Sequence, residues 1–560
     1  MPSISTPSPR PTKTTGLRYW MLQVFEQCDN VAADFSPDSV HDLRVALRRC
    51  RSMADGLMAI DPDPAWKDMK KAGKRLFQRL GDLRDIHVMQ EWIEKLEKTE
   101  KAHVAAGDSP AGPAPDQNVH SNPGSVDTVV DSADKPAQAL LQILQSRENQ
   151  QKREAQSALE EFDRKQWRRW SKSLPARAAR IRPGSSLFKH LALERWTQAR
   201  ALHSRALRNR SQTTFHSLRI GIKRFRYIVE NFLPSEHQAW SGDLKEIQDM
   251  LGEVHDLDVL WSTAVSCLVF PDEHSRQRWR ARILSARTKR VERYRAKMVG
   301  DHSLWQGWRA ALPQGKQIQE LATRRMKLWA NNLDPDFPHS ERVASLALQL
   351  YDGLLATAWQ PAIDSLSARF SLFAAALLHD VGKFKGEKNH HKKSLKLMQA
   401  HGTPLGWKSA DFRRSSIVAR FHRGALPARR HKLLRDLLPD EQKATVELAA
   451  ILRLANALDA AHEGHIRRVQ IENVRVNNVR GRVRGNNSNN KENRKKRVAG
   501  FLLKSVPPAR NEPLMIAAQG YTPLGRTAQT VAAERYLLET VLHRPVVVRA
   551  MTASGSRRTR

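Results

Sequence analysis

Apolar residues recur every three to four positions from about Gly16 to Val104, from Ala137 to about Ala310, and again through 311–465. That is the spacing of helices that bury one face and leave the other to solvent. Residues 105–136, AAGDSPAGPAPDQNVHSNPGSVDTVVDSADKP, interrupt it with Gly, Pro, Ser and Asp and read as a flexible linker or insertion. Turns are expected at Pro183-Gly184 and at Pro234. From Val469 the period shortens to two, with Val469, Ile471, Val474, Val476 and Val479 in alternation, which predicts strands. NNSNNKENRKK at 486–496 reads as a solvated loop between them, Thr527–Leu542 as a last helix, and Pro545–Arg549 as a strand. The expected class is mainly α with a small α/β C-terminal part. The tails at 1–15, rich in Pro, Ser and Thr, and at 551–560, which is basic, carry no such pattern.

Two segments repeat within the helical pattern. VHDLRVALRRCRSM begins at Val40 and FHSLRIGIKRFRYI at Phe215. Each places a His and three cations at relative positions 0, 3, 7 and 10: His41, Arg44, Arg48 and Arg51, then His216, Arg219, Lys223 and Arg226. At about 100° per residue these share one helix face. Leu43, Leu47 and Cys50, and Leu218, Ile222 and Phe225, take the opposite face. A second pair follows, RLGDLRDIHVM at Arg79 and MLGEVHDLDVL at Met250. There Gly81 and Gly252 are expected to end one helix, and Asp85 and Asp256 to begin the next. The repeat predicts two small helical bundles related by a pseudo-twofold axis.

Charge gives that repeat a direction. The 560-residue chain carries a net +36, and residues 164–233 hold 18 Lys and Arg against only Glu194 and Glu230. Such an excess calls for a polyanion: inorganic polyphosphate, nucleic acid or an anionic membrane surface. Nucleic acid is the less favoured of these, because its readers usually add aromatic stacking, and Trp167 and Trp170 read first as core. No apolar run approaches the roughly 18–20 residues of a bilayer span, and the N-terminal segment lacks the apolar core of a secretory signal. Cys28, Cys50 and Cys267, odd in number and far apart, fit a reducing compartment. A cytoplasmic location is expected.

His41-x-x-Arg44-x-x-x-Arg48 with Leu80-Gly81-x-x-Arg84-Asp85, repeated in order at His216 and Gly252, resembles the CHAD domain, the conserved histidine α-helical domain, over about 16–310. The resemblance implies two four-helix bundles that bind inorganic polyphosphate through a basic surface, with association with polyphosphate granules as a further expectation. The second copy has His255 where the first has Arg84, one cation fewer.

A different chemistry follows at 311–468. His339 opens PHSERVASLALQLYDGL; His379 and Asp380 end the apolar helix of ALLHDVGK; His390 and His391 stand in NHHKKS, His422 in ARFHRG, and Asn456 and Asp459 in ILRLANALDAAH. Imidazoles and carboxylates from separate helices can build a divalent metal site for Mn, Fe, Zn or Mg, and such a site polarises a phosphoryl oxygen. The expected ligands are His339, His379, Asp380, His391, His422 and Asp459, with His390 the alternative to His391. His379 and Asp380 are also the expected catalytic pair, with Lys383 and Arg423 offsetting developing charge.

The ordered set resembles the HD superfamily of metal-dependent phosphohydrolases. With LATRRMKLWANNLDPDFPHSERVASLALQLYDGL and the strand-bearing tail after 469, residues 315–550 look like the C-terminal part of the exopolyphosphatase/guanosine pentaphosphate phosphohydrolase family. The Gly-rich phosphate loops of that family's actin-like catalytic part are not evident. One position departs: HD proteins close their metal set with an Asp where this chain has Asn456, a weaker ligand. The resemblances together imply polyphosphate capture coupled to metal-dependent hydrolysis of polyphosphate or a phosphorylated nucleotide. The alternative is a non-catalytic granule-binding protein with a structural HD-like domain.

Overall fold

The computed structural model describes residues 16–105, 135–357, 359–472 and 512–551. Residues 106–134 of the insertion, 1–15, 552–560, Val474, Val476, Val479 and the 486–496 loop lie outside them, and the ends of the expected insertion, Ala105, Lys135 and Pro136, belong to helices. The chain divides into two compact units, Met1–Arg325 and Met326–Arg560. The fold is mainly α, with one small sheet near the C-terminus.

The first unit repeats one helical plan. Its first half holds α1 (Leu17–Ala33), α2 (Pro37–Leu57), the short α3 (Pro64–Ala72), α4 (Lys74–Ala105), α5 (Lys135–Glu160) and α6 (Arg164–Ala178). The second holds α7 (Ser186–Asn209), α8 (Gln212–Phe232), α9 (Pro234–Ser266), α10 (Glu273–Met298) and α11 (Leu304–Ala310). Helices α1, α2, α4 and α5 pack in sequence as α7, α8, α9 and α10 do, and the halves meet through α2 on α8 and α4 on α9. Ser36 and Ser211 cap the two repeat helices by accepting the backbone N–H of Ser39 and Thr214. Leu43, Leu47, Cys50, Leu218, Ile222 and Phe225 are all fully buried. Each of the larger side chains contributes roughly 1.5–3 kcal/mol by leaving water. Trp167 is likewise core, its indole N–H donating to the Met21 carbonyl at 3.0 Å.

The Gly-Asp segments do not break the chain. Gly81 and Asp85 lie inside the continuous α4, and Gly252 and Asp256 inside α9. Gly81 serves a contact instead of a terminus: a Cβ there would stand 2.5 Å from Arg44 Nη1, which donates to the Phe77 carbonyl at 3.2 Å. The glycine makes room for a guanidinium from the neighbouring helix.

After α12 (Lys316–Asn331), the second unit wraps α13 (Phe337–Leu355), α14 (Ser365–Leu378) and α16 (Ser409–Arg420) around α18 (Pro439–Leu458), with α15 (His390–His401) packed on α16 and α17 (Lys432–Arg435) a single turn. Alanine-rich α14 from Ser371 and α18 from Ala444 are buried nearly throughout, which lets neighbours approach closely. Strand β1 (Val469–Glu472) pairs antiparallel with β2 (Leu514–Ala518), and β2 pairs parallel with β3 (Val546–Ala550). Two helices, α19 (Arg526–Glu534) and α20 (Tyr536–Leu542), stand where one was expected, and they supply the crossover that a parallel pair requires.

Candidate functional sites

In the first unit the cation columns of α2 and α8 converge. Arg44, Arg48, Arg219 and Lys223, with Arg84 from α4, feel one another's charge, and Asp85 and Asp256 lie among them. The Nε atoms of Arg48 and Arg219 are buried without an acceptor. Crowding has a price in protonation. Burial, then Arg219 and Arg48, push the Lys223 amine down to about 7, against Asp256. Burial raises Asp256 to about 6; Arg219 and Lys223 oppose that shift and Asp85 adds to it. His216 and His255 stand with Nδ1 atoms 3.4 Å apart, and His255 is pushed down to about 4 by burial, Arg219 and His216. His41 is exposed, lowered by burial and by Arg84 and Arg48. The far ends of the columns have other partners: Arg51 donates to the Lys70 carbonyl at 2.7 Å, and Arg226 lies 3.7 Å from Glu230.

In the second unit four helix ends deliver histidines to one carboxylate. His379 caps α14, and a 3₁₀ turn, Val381–Lys385, follows Asp380. Ser394 of α15 ties this turn down, donating to the His379 carbonyl at 2.6 Å and accepting the Gly382 N–H at 2.9 Å. A side chain at Gly382 would collide with the His390 carbonyl and Ser394, so this contact requires glycine. His379, Asp380 and His339 have ligand atoms within 4.8 Å of one another, and so do Asp380, His390 and His422; all are buried. Asp380 belongs to both groups.

The ring nitrogens are oriented by what lies behind them. Nδ1 of His379 donates to the Ala376 carbonyl (2.7 Å), Nδ1 of His390 to Glu387 (3.0 Å), and Nδ1 of His422 to Ala419 (2.8 Å). A carbonyl can only accept, so each neutral ring turns an Nε2 lone pair inward. His390 and His422 Nε2 are 3.1 Å apart, and Asp380 Oδ1 lies 3.0 Å and 3.6 Å from them. His379 Nε2 and Asp380 Oδ1 have no hydrogen-bond partner. Converging lone pairs and a carboxylate are the donor set of a divalent cation, with backbone and carboxylate partners behind the rings. Burial works against ionisation of Asp380, but His379, His390, His422 and Lys383 outweigh it and hold its carboxyl well below the usual range.

Three expected roles change. His390, not His391, enters the cluster, because the first turn of α15 points residue 390 at Asp380 and turns its neighbour about 100° away. Asp459 is not with the ligands: its Oδ2 lies 2.8 Å from His339 Nδ1 and accepts from Arg342 Nε at 2.8 Å, so it orients the ring from behind. Lys383 is an ion-pair partner of Asp380 at 2.6 Å. Arg423 is exposed near His391, and the Asn456 amide oxygen stands 3.0 Å from His339 Nε2. Two residues were not singled out from the sequence, although each ends a quoted segment: Ser394, the last of NHHKKS, and His462, the last of ILRLANALDAAH, whose ring stacks on His339 at 3.9 Å.

The molecule is thus a two-unit α-helical protein with a basic helical repeat and a buried His/Asp cluster. Residues 21–265 match the CHAD domain model, and residues 323–493 match domain III of the Ppx/GppA phosphatases; the chain carries both domains. It is also similar to the crystal structure of the CHAD domain from the plant Ricinus communis, at 20% identity over 53% of this chain and 90% of that one, with a TM-score of 0.31. No curated protein matches it.

Proposed function

We propose that the first unit captures inorganic polyphosphate between α2 and α8, and that the second is a metal-dependent phosphohydrolase acting on polyphosphate or a phosphorylated nucleotide. The pairing of a CHAD domain with a Ppx/GppA domain supports polyphosphate-related phosphatase chemistry. The observation that carries the hydrolase reading is the inward convergence of Nε2 lone pairs on Asp380. His339, His379 and Asp380 would hold one cation, and Asp380, His390 and His422 a second. A divalent cation there supplies Lewis-acid polarisation of a phosphoryl oxygen and an acidic bound water. The protein's own part is to fix the imidazole tautomers, to keep Asp380 ionised and to exclude bulk water. A phosphate-release screen on metal-reconstituted protein, with polyphosphate and guanosine polyphosphates as substrates, tests this; no release from any of them sinks it.

Asn456 favours a second reading, in which the unit binds without turnover, because a neutral amide stands where a carboxylate would face His339 Nε2. Asn456→Asp is expected to raise divalent-metal affinity by about tenfold or more, the factor that even an outer-shell partner carries. Titration against a metal indicator reads this; unchanged affinity would place residue 456 outside the metal's reach. We also propose a cytoplasmic location with granule association. No described helix is long and apolar enough to cross a membrane.

Polyphosphate binding should be proton-linked. In the free protein Lys223 loses its charge near pH 7 and Asp256 gains one near pH 6. A polyanion favours the protonated form of both, so affinity falls as pH rises, by up to about tenfold per unit per group. Between pH 7 and 8 the loss belongs to Lys223, and Lys223→Arg should flatten it. Between pH 5.5 and 6.5 it belongs to Asp256, and Asp256→Asn should flatten that. A pH-independent affinity in wild type would show that neither group faces the ligand.

A further inference from the structure

Beside the Asp380 cluster lies a group of bases, Arg420, Arg423 and His391, that make no ion pair among the described residues. Arg420 ends α16, and its guanidinium packs over the Phe421 ring at 5.3 Å. Its Nη1 is buried without a hydrogen-bond partner among the described residues. His391, the histidine turned away from the cluster, has a buried Nδ1 that is also without a partner. Arg420, His390, Arg423 and Lys392, all bases, are the charged groups that bear most strongly on His391. Its ring lies 6.3 Å from that of His422 and 6.0 Å from that of His390. Gly424, at φ +75°, follows Arg423; a side chain there would stand 3.5 Å from His391 Nε2, so glycine leaves that approach open. The nearby acids are already engaged: Asp380 with Lys383 and the cluster histidines, and Glu387 with His390.

A buried guanidinium N–H without an acceptor costs free energy, and several unopposed cations in one place cost more. Such an arrangement is kept where an anion completes it. We infer that Arg420, Arg423 and His391 form a phosphate-binding subsite that holds the phosphoryl group adjoining the one at the Asp380 cluster. This rests on the phosphohydrolase reading of that cluster and narrows it to substrates with at least two linked phosphates, such as a condensed-phosphate chain or a nucleoside polyphosphate. A single monoester would leave the subsite empty. Arg420 and His391 are positioning residues here: they grip the neighbouring phosphate and so place the reacting one.

Peptide-resolved hydrogen exchange on the full chain, with tripolyphosphate as probe and phenyl phosphate as the monoester control, separates this subsite from the basic helices of the first unit. Tripolyphosphate is expected to protect 387–394 and 416–424, and phenyl phosphate is not. Arg420→Gln should weaken that protection by about tenfold or more, the factor of one lost charge-assisted hydrogen bond, while metal uptake and protection of α2 and α8 stay as in wild type. Arg423→Ala, at an exposed side chain, carries the same test if Arg420→Gln fails to fold. In turnover both variants should raise KM for tripolyphosphate more than they lower kcat. Protection of α2 and α8 without 416–424, or protection that survives both variants, overturns the subsite. Segment protection that obeys the variants without any phosphate release upholds the subsite and removes the hydrolase reading. Equal kcat/KM for tripolyphosphate and phenyl phosphate, untouched by either variant, keeps the hydrolase and overturns the subsite.

Discussion

Replacing Arg44, Arg48, Arg219 and Lys223 together by alanine is expected to weaken long-chain polyphosphate binding by roughly thirtyfold to several hundredfold. Four charged contacts at ~0.5–1 kcal/mol each sum to about 2–4 kcal/mol, and every 1.4 kcal/mol is tenfold. The effect should lean to the upper end, because all four side chains are partly buried and therefore poorly screened. The salt dependence should change with it. By analogy with nucleic acids, each lost phosphate contact removes roughly 0.7–0.9 from the slope of log K against log salt, so the variant's slope should be shallower by about three. Stability should move the other way. In the free protein burial, and then repulsion from Arg219 and Arg48, push Lys223 down to about 7, so removal of these half-buried, mutually repelling cations should raise the melting temperature or leave it unchanged. A scaffold role would predict the reverse, a lower melting temperature with affinity intact. Fluorescence anisotropy of labelled polyphosphate across a salt series, with thermal denaturation beside it, distinguishes the two. Unchanged affinity and slope would remove α2 and α8 as the binding surface.

The repeat was legible in the sequence because it is a helical signal: a 3.6-residue period sorts His41, Arg44 and Arg48 onto one face and Leu43 and Leu47 onto the other without tertiary information. Gly81 was misread because glycine carries the same mark whether it ends a helix or admits a neighbour. Only the Arg44 guanidinium crossing from α2 tells the two apart. The order of His339, His379, Asp380 and His422 singled out side chains that the fold gathers into two groups sharing Asp380. The choice between His390 and His391 depends on the rotation of α15, which Ser394 sets through the 379–382 turn, and no local pattern encodes that contact. Asp459 lies three residues beyond Asn456 on the same helix face, so spacing alone allows it to bind a metal. It falls behind His339 because Arg342 and the Gly464 N–H draw its carboxylate there. The β2–β3 pair is parallel across a helical crossover, a long-range arrangement that two short apolar runs do not announce.

The combined change His379→Gln and Asp380→Asn is expected to abolish stoichiometric uptake of Mn, Fe or Zn while leaving polyphosphate binding by the first unit intact. Asp380 is shared by both ligand groups, so its neutral form removes the only carboxylate from each, and His379→Gln takes an Nε2 lone pair from one. Changing a residue that only hydrogen-bonds a metal ligand typically costs 10–100-fold in affinity; loss of the shared ligand should exceed that. Glutamine and asparagine keep the volumes close, which matters because Lys383 and three imidazoles remain in a buried site. Uptake by wild type should persist somewhat below neutral pH, since burial, reinforced by His379, holds His422 well below the ordinary imidazole range and its Nε2 stays unprotonated there. Elemental analysis after chelation and reconstitution reads stoichiometry. The melting temperature reads the same event independently, because a cation bound only by the folded chain stabilises it by RT ln(1 + [M]/Kd), about 2.7 kcal/mol at a hundredfold excess over Kd. Wild type should gain that increment and the double variant should not. If reconstituted wild type holds no metal and melts as the variant does, the histidines of the second unit are structural, and the protein binds polyphosphate without hydrolysing it there.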